Sequence, residues 1–326
     1  GRTKQPGVAI HMRSRGKWRA GAQRRSISSA RRWPLLGNSP EIGVSKLHWL
    51  VCIGGSEFGL REDASRLPPG IFAGQEQEWH MTLIVGVAAR NSIWLCADRR
   101  LSAGGKVVSD DAVKVFSVET SEGIALLGYA GLGKTGGGME PSLWMRNVLR
   151  GRHLTVEASL QVLAAAMNDQ LPRHIPPSLQ GHVVSVVAFV SKTPSVYAIS
   201  LTRAFSGQKP TIELKKFVNA GPPARLRVPY YIYNGSGARE ADSAFQRSVN
   251  RLIKRYERGS VSAEIVGDQF ASFNLKRARS VRSVGPNCVV LWRERTGGGG
   301  GQYYSGTTKS RGPITPTIGR GLDLGS

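Results

Sequence analysis

The stretch Thr82-Leu-Ile-Val-Gly-Val-Ala-Ala-Arg-Asn-Ser-Ile-Trp-Leu-Cys-Ala-Asp98 decides how this chain is read. Two apolar runs, 82–89 and 92–98, flank the polar step Arg90-Asn91, which predicts two strands joined by a tight turn. A third run, Ala112-Val-Lys-Val-Phe116, and a fourth, Gly123-Ile-Ala-Leu-Leu-Gly-Tyr-Ala-Gly131, predict strands over about 113–118 and 123–129. Across these runs Thr82, Asp98 and Lys114 stand at even spacing, with Asp98 16 residues and Lys114 32 residues after the threonine. Val113 and Val115 flank Lys114, so a strand there turns its ammonium to the opposite face. An ammonium so placed and buried costs several kcal/mol (roughly) unless a carboxylate such as Asp98 pairs with it.

Outward from this block, helical patterns fall near 141–150 and 155–171. Thr155 is placed as the N-cap of the second, ahead of Leu160, Leu163, Ala164 and Met167. Strand patterns return at 182–190, 195–202, 212–218 and 230–234. Helices near 238–256 and 262–278 precede a last strand at 287–293. This order supports a mixed α and β layered domain over 82–295. Residues 1–81 are basic, lack clean periodicity and read as a disordered extension or propeptide. Residues 296–326 contain a five-glycine run followed by Ser, Thr, Pro and Gly, and read as a disordered tail.

Composition narrows the function classes. The chain has 326 residues, 40% of them hydrophobic, enough for one sizeable core. No apolar run reaches the roughly 18 residues that span a bilayer, so a membrane protein is not expected. Cys52, Cys96 and Cys288 are odd in number and far apart, which fits neither a disulfide framework nor a zinc pattern, and points to a reducing, cytoplasmic compartment. The formal net charge of +23 raises nucleic acid as a partner. No helix-turn-helix, zinc-finger or RNA-binding signature accompanies it. Much of the excess falls in the N-terminal 35 residues and on a helix carrying Arg247, Arg251, Lys254, Arg255 and Arg258. The six histidines show no motif spacing and read as structural or solvated.

A threonine hydroxyl becomes a useful nucleophile only when a base takes its proton. At a chain's first position the free α-amine, with an ordinary pKa near ~8, can be that base. A neighbouring lysine depresses the pKa of amine and hydroxyl, and a carboxylate beside the lysine keeps it charged and oriented. Thr82, Lys114 and Asp98 are together sufficient for such chemistry, with no metal or cofactor.

On these motifs the chain resembles a proteasome β-type subunit of the N-terminal-nucleophile hydrolases. The shared pattern reads Thr82-Leu-Ile-Val-Gly-Val, Ala97-Asp98-Arg99-Arg100, Ala112-Val113-Lys114-Val115 and Gly128-Tyr129-Ala130-Gly131. The resemblance implies a four-layer αββα sandwich of mixed α+β class, with irregular extensions at both ends. It implies Thr82 as the nucleophile of a threonine peptidase, Lys114 and Asp98 as its charge partners, and the Gly128 N–H in the oxyanion hole. Ser236, within Gly235-Ser236-Gly237, either caps the helix beginning near 238 or, as the resemblance suggests, orients the terminal amine. Where the family carries an aspartate before its last core strand, this chain reads Arg279-Ser-Val-Arg-Ser-Val-Gly-Pro286, without an acidic residue. The implied substrate is a peptide or unfolded protein. The implied assembly is a homo-oligomeric ring, with an unfolding ATPase as a partner. A catalytically inactive ring-forming scaffold is the alternative.

Two further readings concern the same region. Met81 precedes Thr82, so residues 1–80 are an upstream reading-frame extension, a propeptide or an Arg-rich targeting segment. In each case the catalytic reading requires a terminus freed at Thr82. Gly128-Tyr-Ala-Gly-Leu-Gly133-Lys134-Thr135 also fits the P-loop pattern of nucleotide-binding proteins. That reading needs a helix opening at the Lys-Thr step, whereas Gly136-Gly137-Gly138 follows, which is poor helix material.

Overall fold

Near-continuous apolar strands have to be covered on both faces, and that requirement organises the molecule. A computed structural model of the chain describes residues 50–53, 82–103, 106–133, 139–173, 181–202, 211–219, 229–238, 242–310 and 317–318. The strands are β1 (Leu50–Ile53), β2 (Ile84–Ala88), β3 (Ser92–Asp98), β4 (Leu101–Ala103), β5 (Lys106–Ser109), β6 (Val115–Glu119) and β7 (Ile124–Ala130). After helices α1 (Pro141–Leu149) and α2 (Val156–Gln170) come β8 (Gly181–Val190), β9 (Thr193–Thr202), β10 (Thr211–Asn219) and β11 (Tyr230–Asn234). Helices α3 (Ser243–Tyr256) and α4 (Ala263–Ser280) lead to β12 (Cys288–Glu294), β13 (Gly299–Ser305), β14 (Thr308–Ser310) and β15 (Thr317–Ile318). The class is mixed α+β, with four helices and antiparallel sheets among the described residues.

One sheet has seven strands in the order β1-β11-β2-β3-β12-β13-β14. The other has six, β10-β9-β8-β7-β6-β15, antiparallel except for the β15–β6 pair. A small β4–β5 hairpin, not anticipated from the sequence, follows the first two strands. Strand β3 shows how the covering works. Ile93, Leu95 and Ala97 enter a core shared with Leu126, Val183 and Val187 of the second sheet. Trp94 and Cys96 enter a core on the other face with Phe245 of α3 and Phe270 of α4. Strands β7 and β8 divide in the same manner, sending Leu127, Tyr129, Val184 and Val186 toward Leu160, Leu163 and Met167 of α2. Trp94 stacks on Trp292 with ring centroids 5.6 Å apart, locking β3 to β12 on the helix side.

The helix ends follow local chemistry. Thr155 Oγ1 accepts the Ala158 N–H at 3.2 Å, the expected N-cap. α3 begins at Ser243 rather than near 238, and its cap is Asp242, whose carboxylate accepts the Ala244 and Phe245 N–H groups at 3.0 Å. Ser236 is therefore not the helix cap; it opens a 3₁₀ turn, Ser236–Ala238.

Two boundaries need correction. The tail expected to be disordered contributes β13 and β14 to the first sheet and β15 to the second, so the folded part runs past 295. The stretch 1–81 is not uniformly irregular, because Leu50–Ile53 pairs antiparallel with β11 in the register Leu50↔Tyr233 to Ile53↔Tyr230.

Candidate functional site

Thr82, Asp98 and Lys114 come from three chain segments that converge where the two sheets meet at one end. Thr82 lies two residues before β2, Asp98 closes the neighbouring β3, and Lys114 lies immediately before β6 of the other sheet. The backbone fixes these positions. The Asp98 N–H donates to the Leu83 carbonyl at 3.1 Å, and the Tyr129 N–H donates to the Lys114 carbonyl at 3.1 Å. Val115, next in sequence, points into the core between the sheets.

Lys114 Nζ donates to Asp98 Oδ1 at 2.8 Å, to the Thr82 hydroxyl and to the Arg100 carbonyl, so all three ammonium hydrogens have acceptors. The other Asp98 oxygen accepts the Gly285 N–H at 3.0 Å. Lys114 is 2% exposed, Asp98 0% and Thr82 5%. Burial pushes the lysine below its ordinary range and the aspartate above its own, and the attraction between the two charges opposes both shifts.

The surroundings hold this trio in place. Arg100 forms a bidentate pair with Asp110 at 2.8 and 3.1 Å and donates to the Arg282 carbonyl at 2.9 Å, tying the 282–285 segment to the site. A Cβ at Gly285 would stand 2.7 Å from the Arg100 Cβ, so only glycine brings its amide against Asp98. Gly235 (φ +94) approaches even more closely, since a Cβ there would lie 1.5 Å from the Thr82 carbonyl oxygen. The sequence drew attention to Ser236, whose side chain lies outside the described residues; the contact with the threonine is made by Gly235. Its signal in the sequence was the glycine itself, at the end of a strand.

Gly128 is not placed as expected. Amide directions alternate along a strand, and Tyr129 N–H points to β6, so Gly128 N–H points to β8, where its register partner is Ser185. Its lack of a side chain is a matter of packing, with Leu95 Cδ2 3.2 Å and Ile84 Cδ1 3.6 Å from the position of a Cβ. The glycine that shares a cleft with the threonine is Gly131 (φ +117), just past β7. With Leu132, Gly133 and Ser102 it lines a small cleft that also includes Thr82 and Lys114.

Of the P-loop pattern, Gly128–Ala130 is strand and Gly131–Gly133 a turn, while Lys134 and Thr135 lie outside the described residues. The next described helix opens at Pro141. Arg247, Arg251, Lys254 and Arg255 on α3 and Arg258 just past its end are exposed, and none of them lines the cleft. Among the described residues no cluster of three His, Cys, Asp or Glu is arranged to hold a metal, and no helix is long and apolar enough to cross a membrane. No protein-family model and no curated protein matches the chain.

Proposed function

We propose that the chain is a threonine peptidase of the N-terminal-nucleophile type, its two sheets and two helix pairs forming a four-layer αββα sandwich. Thr82 is the nucleophile once residues 1–81 are removed. One observation carries this reading: a buried lysine spans the Thr82 hydroxyl and the Asp98 carboxylate, with each of its hydrogens engaged.

In the reaction the Thr82 amine takes the hydroxyl proton as the oxygen attacks a peptide carbonyl. The Lys114 ammonium, already donating to that oxygen, lowers the cost of its developing negative charge. The Gly131 amide, at the cleft wall, receives the oxyanion, an interaction whose loss costs roughly 3–4 kcal/mol in enzymes where single donors have been removed. The proton passes to the leaving amine, an ester to Thr82 forms, and water hydrolyses it to release the acid and restore the hydroxyl. Peptides or unfolded proteins are the substrates, delivered to a homo-oligomeric ring with an unfolding ATPase as its partner.

The test is fluorogenic-peptide hydrolysis by protein shown by intact mass to start at Thr82. Thr82→Ala is expected to abolish turnover and leave the melting temperature within a few degrees of the parent. Retained hydrolysis in that variant refutes the assignment. The absence of a carboxylate across 279–286 favours a second reading, an inactive scaffold of the same fold. It predicts no turnover in the parent either.

A further inference from the structure

His182, the second residue of β8, has no part in the chemistry just described and is 2% exposed. Its Nδ1 accepts the Leu132 N–H at 3.1 Å. An imidazole that accepts at Nδ1 is the neutral tautomer with its proton on Nε2. Burial agrees, pushing the His182 pKa down to about 4, so the ring stays neutral at neutral pH.

The place of this bond gives it meaning. The β7–β8 ladder stops at Ala130↔Val183. Immediately beyond, the chain turns through Gly131 (φ +117), Leu132 and Gly133, all three on the wall of the cleft that holds Thr82. Two glycines flank Leu132, and neither has a side chain with which to anchor the turn. The Leu132 side chain is buried in the core on the helix side of the sheet, and the imidazole adds a tether to its amide, continuing the strand pairing by one side-chain bond. The same ring rests against Tyr129, centroids 5.9 Å apart, and Tyr129 also lines the cleft.

We propose that His182 is a positioning residue: by holding the Leu132 amide it fixes the Gly131–Gly133 turn and thereby aims the Gly131 amide at the reacting carbonyl. This rests on the peptidase reading. A donor displaced by about an ångström loses on the order of a hundredfold in rate, while ground-state contacts elsewhere in the cleft are kept.

The experiment compares His182→Leu and His182→Asn in protein processed to start at Thr82, as checked by intact mass. Asparagine places an amide oxygen where Nδ1 stands, whereas leucine has no acceptor. The leucine variant is expected to lose tenfold to a hundredfold in kcat with KM within about twofold. The asparagine variant is expected to recover to within about threefold of the parent. If leucine prevents folding, judged by circular dichroism, His182→Ala takes its place. A folded acceptor-less variant with the parent's kcat overturns the proposal. So does equal loss in both variants, or a change confined to KM. An inactive parent chain defeats the peptidase reading instead, so the two failures are told apart.

Discussion

Replacing Lys114 with methionine leaves the Asp98 carboxylate buried without its cation. Asp98 is fully buried, Lys114 is 2% exposed, and their atoms are 2.8 Å apart, so solvent offers no substitute partner. Breaking a buried pair from one side costs about 3–5 kcal/mol. A second route gives a ceiling. The carboxyl can escape by taking a proton, and neutralising an ordinary aspartate at pH 7 costs about 4 kcal/mol, from some three pH units at 1.36 kcal/mol each. The expected loss is therefore about 3–4 kcal/mol at pH 7. At pH 5 the same ceiling falls to about 1.5 kcal/mol. The sign follows from linkage. In the variant the native carboxyl binds its proton more tightly than the unfolded chain does, so stability is fully present below the unfolded pKa and is lost as pH rises through the native one. Urea unfolding of parent and variant at pH 5 and pH 7 measures both quantities. The double variant Lys114→Met/Asp98→Asn should lose most of this pH dependence. A loss under 0.5 kcal/mol in Lys114→Met, equal at the two pH values, would refute the reasoning.

Three other outcomes follow from the geometry. Gly235→Ala puts a methyl where the Thr82 carbonyl oxygen stands and forces φ +94 on a residue with a side chain. It should cost more than a hundredfold in peptide turnover, and a variant within threefold of the parent contradicts the placement of Thr82. Asp242→Ala removes the α3 cap and should cost about 1 kcal/mol in urea unfolding. Lys276 first, and then the Phe245 amide, hold the Asp242 carboxyl below its ordinary value, so its contribution is present above the unfolded carboxylate range and fades as pH falls through the lower native value. An Asp242→Ala difference that grows with acid runs against that assignment. Gly285→Ala crowds Arg100 and withdraws an amide from Asp98, and should lower stability and turnover together; unchanged turnover argues against the Asp98–Gly285 bond.

What the sequence disclosed depended on whether the determining contact was local. The run Ser92–Asp98 was readable because all seven residues are buried and the five between its polar ends, Ile93 to Ala97, are apolar. The meeting of Thr82, Lys114 and Asp98 was an expectation of the motif resemblance, since even spacing alone puts no two of them in contact. The β13 strand was not readable, because five consecutive glycines look like a flexible tail. A Cβ on Gly300 would stand 2.6 Å from the Trp292 ring, which covers that glycine from the adjacent strand, and composition carries no trace of such a partner. The direction of the Gly128 amide was hidden for a different reason. Gly128 and Gly131 are both glycines of one motif, and only the direction of the Tyr129 amide shows that Gly128 faces β8. His182 gave no signal at all, since its partner is the Leu132 amide, 50 residues away.

The central claim is best tested at Thr82 itself, by treating protein that starts there with a peptidyl β-lactone and locating the adduct by tandem mass spectrometry. Opening of the lactone by the hydroxyl should add the probe's full mass on Thr82, at a rate that falls sharply in Lys114→Met and disappears in Thr82→Ala. A folded protein with a free Thr82 terminus that takes up no probe, or takes it up equally with alanine at that position, contradicts the account.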